Sequence, residues 1–464
     1  MPICSAKLPG PKGIPLLGNL LQVKSETIHN DIQKWGDEFG DVFKFRLGHI
    51  QLIGILDYEI IGEILKERPD LFIRQQKMGN ILKDAGAHGL FTAEGDEWKL
   101  QRKIITKGLD VKHQQTFFPS ILTSTERLFN KWEKAASLSG EANIQQDLFR
   151  FTVDVTTSLA FGIDMNTQEQ SGSVIQDHME KIFPTIFKRI NSPIPFHKLL
   201  RTKVDKEFDK ACEAIQMIVN DFVSNGKKRI IENPNLKDNP ENMLDAILIA
   251  ADEEGGMETK DVTGNLLTIL LAGEDTTSHS LAWAASILIE RPDIQEKCFQ
   301  EVSTILGDKA FMDSFSLHTE MKYTEAVIME AMRLKPVAPI MLFEPLEDTV
   351  IKGYEFKKGE RLLTHMRSSY TKDENFSKAS EMIPERWLKQ GSPCPHRNVQ
   401  AFIPFGSGPR FCPGRNLAML EMKMVLSMLI KNFKISAKTP QEDIKEIMAF
   451  TMMPSNFEVK IQKR

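Results

Sequence analysis

Residues 405–414 read Phe-Gly-Ser-Gly-Pro-Arg-Phe-Cys-Pro-Gly, and no other stretch restricts the chain as strongly. One cysteine, Cys412, stands in a glycine-rich, proline-stiffened loop, with Arg410 two residues before it. A long amphipathic pattern begins just after it, at Arg415. The glycines at 406, 408 and 414 let backbone amides approach a sulfur anion. A helix starting near Arg415 offers that anion its positive end. Both features lower a thiol pKa and favour a ligating thiolate. A buried structural cysteine is the commoner use of this residue, but it explains neither the three glycines nor Arg410.

Zinc and iron–sulfur sites need several Cys or His ligands. No second cysteine stands near Cys412, although Cys394 lies upstream. A single protein thiolate therefore points to a metal whose other ligands come from a macrocycle, which is heme.

Composition bounds the rest. The chain has 464 residues, 41% of them hydrophobic, enough for a sizeable core. Its net charge of −4 argues against a nucleic-acid binder, which shows a basic excess. Cys4, Cys212, Cys298, Cys394 and Cys412 are scattered without paired spacing, so a reducing, cytoplasmic setting is expected. The N-terminus has no charged-then-apolar signal pattern. The longest apolar run, Leu266 to Ile289, is interrupted by Glu274, Asp275 and His279. It reads as a buried core helix, and no stable membrane insertion is expected.

The chain opens on a rigid Pro-rich segment, 8–15. Beyond Asp57, apolar spacing of three and four predicts helices at 58–68, 95–107, 119–137, 146–162, 172–190, 203–232, 242–252, 259–290, 293–306, 323–334 and 415–432. A β-rich portion is expected at roughly 40–57 and 339–404, with C-terminal strands in 447–463. Asn191-Ser192-Pro193-Ile194-Pro195 breaks two long helices. The expectation is one domain over 1–464, mainly α with a small β region.

The spacing Phe405-x-x-Gly408-x-Arg410-x-Cys412-x-Gly414 resembles the heme-binding signature of the cytochrome P450 family, which ligates heme through a cysteine thiolate. Further segments match in the family's order. Glu330 and Arg333 lie in what looks like its ExxR helix, and Pro384-Glu385-Arg386-Trp387 resembles the partner segment. The resemblance implies a structural Glu330–Arg333–Arg386 network. It implies the cytochrome P450 fold and bound heme b (iron protoporphyrin IX), with Cys412 as the metal ligand. Trp98, Arg102 and Arg410 would contact heme propionates, and Ala272, Phe405 and Gly414 would complete the cofactor site. Many relatives carry another propionate-binding arginine where Phe343 aligns, so His365 or Arg367 is expected to compensate.

Ala272-Gly273-Glu274-Asp275-Thr276-Thr277 lies midway in the predicted helix 259–290. A mid-helix glycine costs roughly 1 kcal/mol relative to Ala. Its expected use is to let the backbone approach the heme face. The resemblance makes Asp275 and Thr276 the catalytic acid–alcohol pair: Thr276 holds dioxygen and an ordered water, and Asp275 relays protons. The bland alternative is a polar patch with Thr276 bonded back to the i−4 carbonyl.

The family's substrate-contact regions map onto 72–94, 180–215, 268–277, 336–344 and 449–455. Several are apolar, so the expected substrate is lipophilic: a fatty acid, terpenoid, steroid or polyketide-like compound. Arg74 could meet a substrate carboxylate, though a solvated arginine is the commoner case. The sequence shows no flavin, nicotinamide or ferredoxin-type segment. Electrons from NAD(P)H are thus expected through a separate ferredoxin or flavodoxin with its reductase, docking near Lys103, Lys107 and Lys423. A monomeric monooxygenase using O2 as co-substrate is the reading. A peroxygenase and a non-catalytic heme carrier are its rivals.

Overall fold

Thr259–Glu290 forms one helix of 32 residues. At 1.5 Å per residue it runs about 48 Å through the core. Its side chains are buried nearly throughout, which an amphipathic surface helix would not permit. It packs most extensively against Ile144–Phe161, and Gly273 explains how closely. A Cβ at Gly273 would stand 3.0 Å from Thr156 Oγ1 of that neighbour. The glycine thus serves helix–helix packing, a neighbour the sequence did not reveal.

The computed structural model describes residues 2–170, 182, 184–190, 192, 196–388 and 397–464. Most of the expected helix 172–190, most of the 191–195 break and Cys394 fall outside the described residues. The helices Lys203–Glu232, Thr259–Glu290 and Arg415–Asn432 match their sequence-predicted bounds. Among the described residues four helices went unpredicted, Ile28–Phe39 and Gln76–Asp84 and the single turns Phe196–Leu199 and Met366–Tyr370. The first buries Ile28, Ile32 and Trp35, a four-then-three spacing that was present in the sequence. The helix expected from Pro119 starts at Val111 instead, where Asp110 caps it by accepting from the His113 amide. Pro119 sits inside this helix, a position that costs it a backbone hydrogen bond. Among the described residues no helix is long and apolar enough to cross a membrane.

The main sheet has five strands in the order Val42–Leu47, Ile50–Ile55, Leu362–His365, Ile340–Pro345, Phe72–Arg74. The edge strand Phe72–Arg74 pairs antiparallel with Ile340–Pro345 and sets Arg74 opposite Phe343. Strands within 339–404 are confined to Ile340–His365; the described remainder is helical turns and irregular chain. At the C-terminus, Glu446–Met448 and Met452–Pro454 form a hairpin, and Phe433–Ala437 pairs with Val459–Lys463.

One buried carboxylate organises the irregular chain that leads to Cys412. Glu330 Oε1 accepts from Arg333 Nη2 at 2.8 Å, Arg386 Nε at 2.8 Å and the Ile383 amide at 3.0 Å. Its Oε2 accepts from Arg333 Nε at 2.9 Å and Trp387 Nε1 at 2.8 Å. Arg333 turns its remaining donors to the carbonyls of Tyr370, Ala379 and Glu381. A fully satisfied buried network of this kind rigidifies what it joins.

His365 and Arg367 are committed elsewhere, so neither compensates for Phe343. His365 Nε2 lies 2.9 Å from the His29 carbonyl, and Arg367 donates to Glu446 at 2.7 Å. Glu446 also takes Lys335 and His29. This hub ties the C-terminal hairpin to the N-terminal helix Ile28–Phe39.

Candidate heme site

The loop before Arg415–Asn432 is shaped by two glycines with positive φ, Gly406 at 72° and Gly408 at 67°. A Cβ on Gly408 would lie 2.4 Å from the Leu65 carbonyl oxygen, so the loop can rest on the end of helix Tyr58–Lys66 only with glycine there. The Cys412 amide donates to the Phe405 carbonyl at 2.8 Å and closes the turn. Phe405 itself is half-buried, with the Arg415 guanidinium 5.9 Å from its ring centre. Only Gly414 borders the sulfur, where a Cβ would stand 3.8 Å from Sγ. The three glycines expected around the sulfur therefore divide into two that shape the turn and one beside the thiol.

Burial pushes the Cys412 thiol above its ordinary pKa; the amides of Gly414 and Arg415 and the charge of Arg102 pull the other way. Desolvation wins, against the expectation of a lowered pKa, because amide dipoles replace water's solvation only in part. A bound cation would reverse that balance, since metal coordination deprotonates a thiol outright. Among the described residues no group of three or more His, Cys, Asp and Glu could hold a metal. The donor set offered is one desolvated sulfur.

Beside this loop lies a concentration of charge. Glu94, just before helix Gly95–Gly108, is paired with Arg410, and Arg68 Nη2 lies 3.3 Å from its Oε1. The Arg74 amide donates to the same oxygen at 3.0 Å. Arg410 also donates to the Leu90 and Ala93 carbonyls, and its guanidinium lies 5.0 Å over the buried Trp98 ring. Arg74 donates to the Phe91 carbonyl and stacks 3.6 Å over the Phe91 ring. Burial, then the cations of Arg68 and Arg410, push Arg74 well below the usual guanidinium range. Burial, then Arg68, brings Arg410 down to about 9, with Glu94 opposing.

The Arg68 and Arg410 guanidiniums thus share one carboxylate while that of Arg74 stands nearby, held by the Phe91 carbonyl, leaving two positive charges unbalanced in a desolvated corner. Such a corner calls for a dianion, and the two propionates of heme fit it. Sequence reading missed Arg68 and left Arg74 as a solvated residue. Phe343 is fully buried with the Arg68 guanidinium 4.9 Å from its ring centre. The charge expected near Phe343 is supplied by Arg68 and Arg74 instead. Arg102 donates to the Phe411 carbonyl at 2.9 Å and stacks over the Phe411 ring, so its bonds go to the cysteine loop rather than to the Arg410 corner.

The central helix supplies the other wall. Ala272 is exposed and Thr268, Ile269, Gly273 and Thr276 half-buried in the middle of a largely buried helix, which marks an open strip about two turns long. Thr276 Oγ1 donates to the Ala272 carbonyl at 2.8 Å, the back-bonded arrangement that was the bland alternative. Asp275 is buried without an ion pair among the described residues, and burial raises its pKa to about 7. Glu274 is buried with both carboxylate oxygens unpartnered among the described residues; burial, then Asp275, raises its pKa well above the ordinary value.

Of the lysines expected to dock a redox protein, Lys423 is buried and donates to Glu325, whereas Lys103, paired with Glu254, and Lys107, paired with Glu253 and Glu254, lie at the surface.

The sequence profile of the cytochrome P450 family matches residues 8–461. Similar proteins include the bifunctional cytochrome P450/NADPH–P450 reductase of Gibberella moniliformis, 26% identical over 98% of this chain and 40% of the relative. The bifunctional cytochrome P450/NADPH–P450 reductase 2 of Bacillus subtilis is 26% identical over 99% of this chain and 43% of its own length. Protein LUTEIN DEFICIENT 5, chloroplastic, of Arabidopsis thaliana is 26% identical over 93% of this chain and 73% of its own. The chain thus spans less than half of the fused relatives it matches. With a family profile covering nearly its whole length, and a single desolvated thiol beside a doubly cationic corner, the chain belongs to the cytochrome P450 family.

Proposed function

We propose that this chain is a heme-thiolate monooxygenase carrying out RH + O2 + 2e− + 2H+ → ROH + H2O. One observation carries the reading. Cys412 offers one sulfur next to a corner with two unbalanced positive charges, a donor set that would hold heme b through one thiolate and its two propionates. Bound there, heme would supply the iron that activates O2.

The chain's own residues do the rest. Cys412 is the metal ligand, with Gly414 and Phe405 shaping its loop. Arg410 and Arg74 hold the propionates, Arg68 adds charge, and Trp98 backs Arg410. Arg102 steadies the loop from its other side. Ala272 lines the open strip at the centre of the long helix. Thr276 donates its hydroxyl hydrogen bond to the Ala272 carbonyl, so its oxygen lone pairs are free to accept a hydrogen bond from a water on the open strip. Asp275, with a pKa of about 7, can carry a proton near neutral pH, as a relay requires.

The substrate is proposed to be lipophilic, a fatty acid, terpenoid, steroid or polyketide-like compound. Half-buried Val337, Ala338, Met341 and Phe450 support this. Electrons are proposed to come from NAD(P)H through a separate ferredoxin or flavodoxin and its reductase. A single domain over 1–464, acting as a monomer, is proposed; its single-domain part is supported by the largest of three apolar clusters, which draws residues from Leu8 to Ile461. A cytoplasmic setting is supported by the free thiols Cys4, Cys212, Cys298 and Cys412.

The test uses holoprotein with surrogate redox partners and a lipophilic substrate panel. Oxygen-dependent product and a thiolate-type reduced carbon-monoxide spectrum that disappears in Cys412→Ser are expected. Turnover with hydrogen peroxide alone would favour the peroxygenase. Heme binding without any product would favour a carrier.

A further inference from the structure

Ala272, Thr276, His279 and Trp283 follow one another at spacings of four, three and four, which is a single helical stripe. Its first half is the open strip at Ala272 and Thr276. Its second half is covered by the hairpin Glu446–Met448/Met452–Pro454. His279 Nδ1 lies 2.7 Å from Thr451 Oγ1 at the hairpin tip. Trp283 Nε1 donates to the Met452 carbonyl at 3.1 Å, and the Met452 amide donates to the Val337 carbonyl at 2.8 Å. The tip is therefore seated one helical turn beyond Thr276.

What the tip carries is Phe450. Its ring pairs with Phe91 at 6.3 Å between centroids, and Arg74 stacks on Phe91. The seating of the tip thus decides where Phe450 meets Phe91. Of the three bonds just named, the two at Met452 engage its backbone and would survive most changes of tip sequence. The His279–Thr451 bond joins two side chains, both buried, and is directional where apolar contacts allow sliding.

We propose that His279 is a positioning residue for substrate selectivity: through Thr451 it fixes Phe450 against Phe91, and these two rings bound the space over the Thr276 strip. This rests on the reading of that strip as the oxygen and substrate side of a bound heme.

The test titrates ferric holoprotein with imidazole and with 4-phenylimidazole, following the Soret band. Both bind iron through nitrogen, but only the larger needs the room the two rings bound. In His279→Ala and in Thr451→Val, the ratio of the two affinities should shift about fivefold, the effect of one buried hydrogen bond. The double variant should shift no further than the larger single, because both remove the same bond. His279→Asn, whose amide reaches the Nδ1 position, should restore the wild-type ratio. An unchanged ratio in both single variants, or fully additive effects, would overturn the proposal. Thr451→Val keeps shape and volume, so it reports even where His279→Ala folds poorly. A wild-type protein that takes up no heme would instead overturn the underlying reading, and the proposal with it.

Discussion

Arg386 Nε donates to Glu330 Oε1 at 2.8 Å, with both side chains fully buried. Arg333 crowds the same carboxylate, so Glu330→Ala leaves two guanidiniums in the core without their anion. Breaking such a pair costs about 3–5 kcal/mol. Urea unfolding should show that loss, whereas Asp313→Ala, which removes the exposed partner of Lys309, should cost about 0.5 kcal/mol or less. Equal effects of the two substitutions would refute a structural role for the network.

Glu94 and Arg74 have opposite effects on the charge of the propionate corner. Glu94→Gln leaves three cations without a carboxylate, so the apoprotein should lose stability while heme compensates more strongly. The rise in Tm on adding heme should therefore be larger than in wild type. In Arg74→Gln it should be smaller, since a ligand stabilises by its affinity for the folded state. Equal rises in both variants would separate the corner from heme binding.

The Asp275 carboxyl has a folded pKa near 7, above its unfolded value of about 3.9. Between those values the folded state holds the proton and the unfolded state does not, so this group's contribution to stability falls as pH rises from about 4 to 7. Glu274, also raised by burial, contributes in the same direction. Asp275→Asn should remove part of this fall. Its gain in Tm over wild type should be greater at pH 8 than at pH 5, as read by calorimetry on the apoprotein.

Thr276→Ala removes the hydroxyl on the open strip and frees the Ala272 carbonyl. NAD(P)H oxidation should continue while product falls and hydrogen peroxide rises, by about tenfold in their ratio if proton delivery depends on the hydroxyl. Thr276→Ser should stay close to wild type. The check is a coupled assay counting NAD(P)H, peroxide and product, and unchanged coupling would count against the assignment.

Gly273→Ala sets a gain against a clash. Alanine favours a mid-helix position over glycine by about 1 kcal/mol. Overpacking against Thr156 Oγ1 at 3.0 Å costs about 1–3 kcal/mol. The clash should win in the wild-type background and vanish with Thr156→Ala, where Gly273→Ala should become stabilising. Chemical denaturation of the four proteins tests this.

Much of this molecule is local and so could be read in the chain. The helices Thr259–Glu290 and Arg415–Asn432 announce themselves as long proline-free runs rather than by an apolar face, since Thr277–Leu288 and Leu420–Ile430 are buried all round, and Glu330 and Arg333 stand out by their i,i+3 spacing. Gly273 stood out as a mid-helix glycine, but its Thr156 neighbour was not legible, because a local pattern shows that a position is special without showing what packs on it. Phe72–Arg74 was too short to stand out as a strand, so Arg74 passed for a solvated side chain.

The sequence by itself determined the family and singled out Cys412, Asp275 and Thr276, since each motif is written in residues a few positions apart. Tertiary structure alone decided the cationic corner beside the cysteine loop. Arg68, Arg74, Glu94 and Arg410 meet only because an edge strand, a loop and the cysteine turn converge, with 316 residues separating Glu94 from Arg410. It likewise took His365 and Arg367 away from the site to serve a hub at Glu446, and set His279 against Thr451. Coulombic and hydrogen-bond energies depend on distance in space, which separation along the chain does not specify.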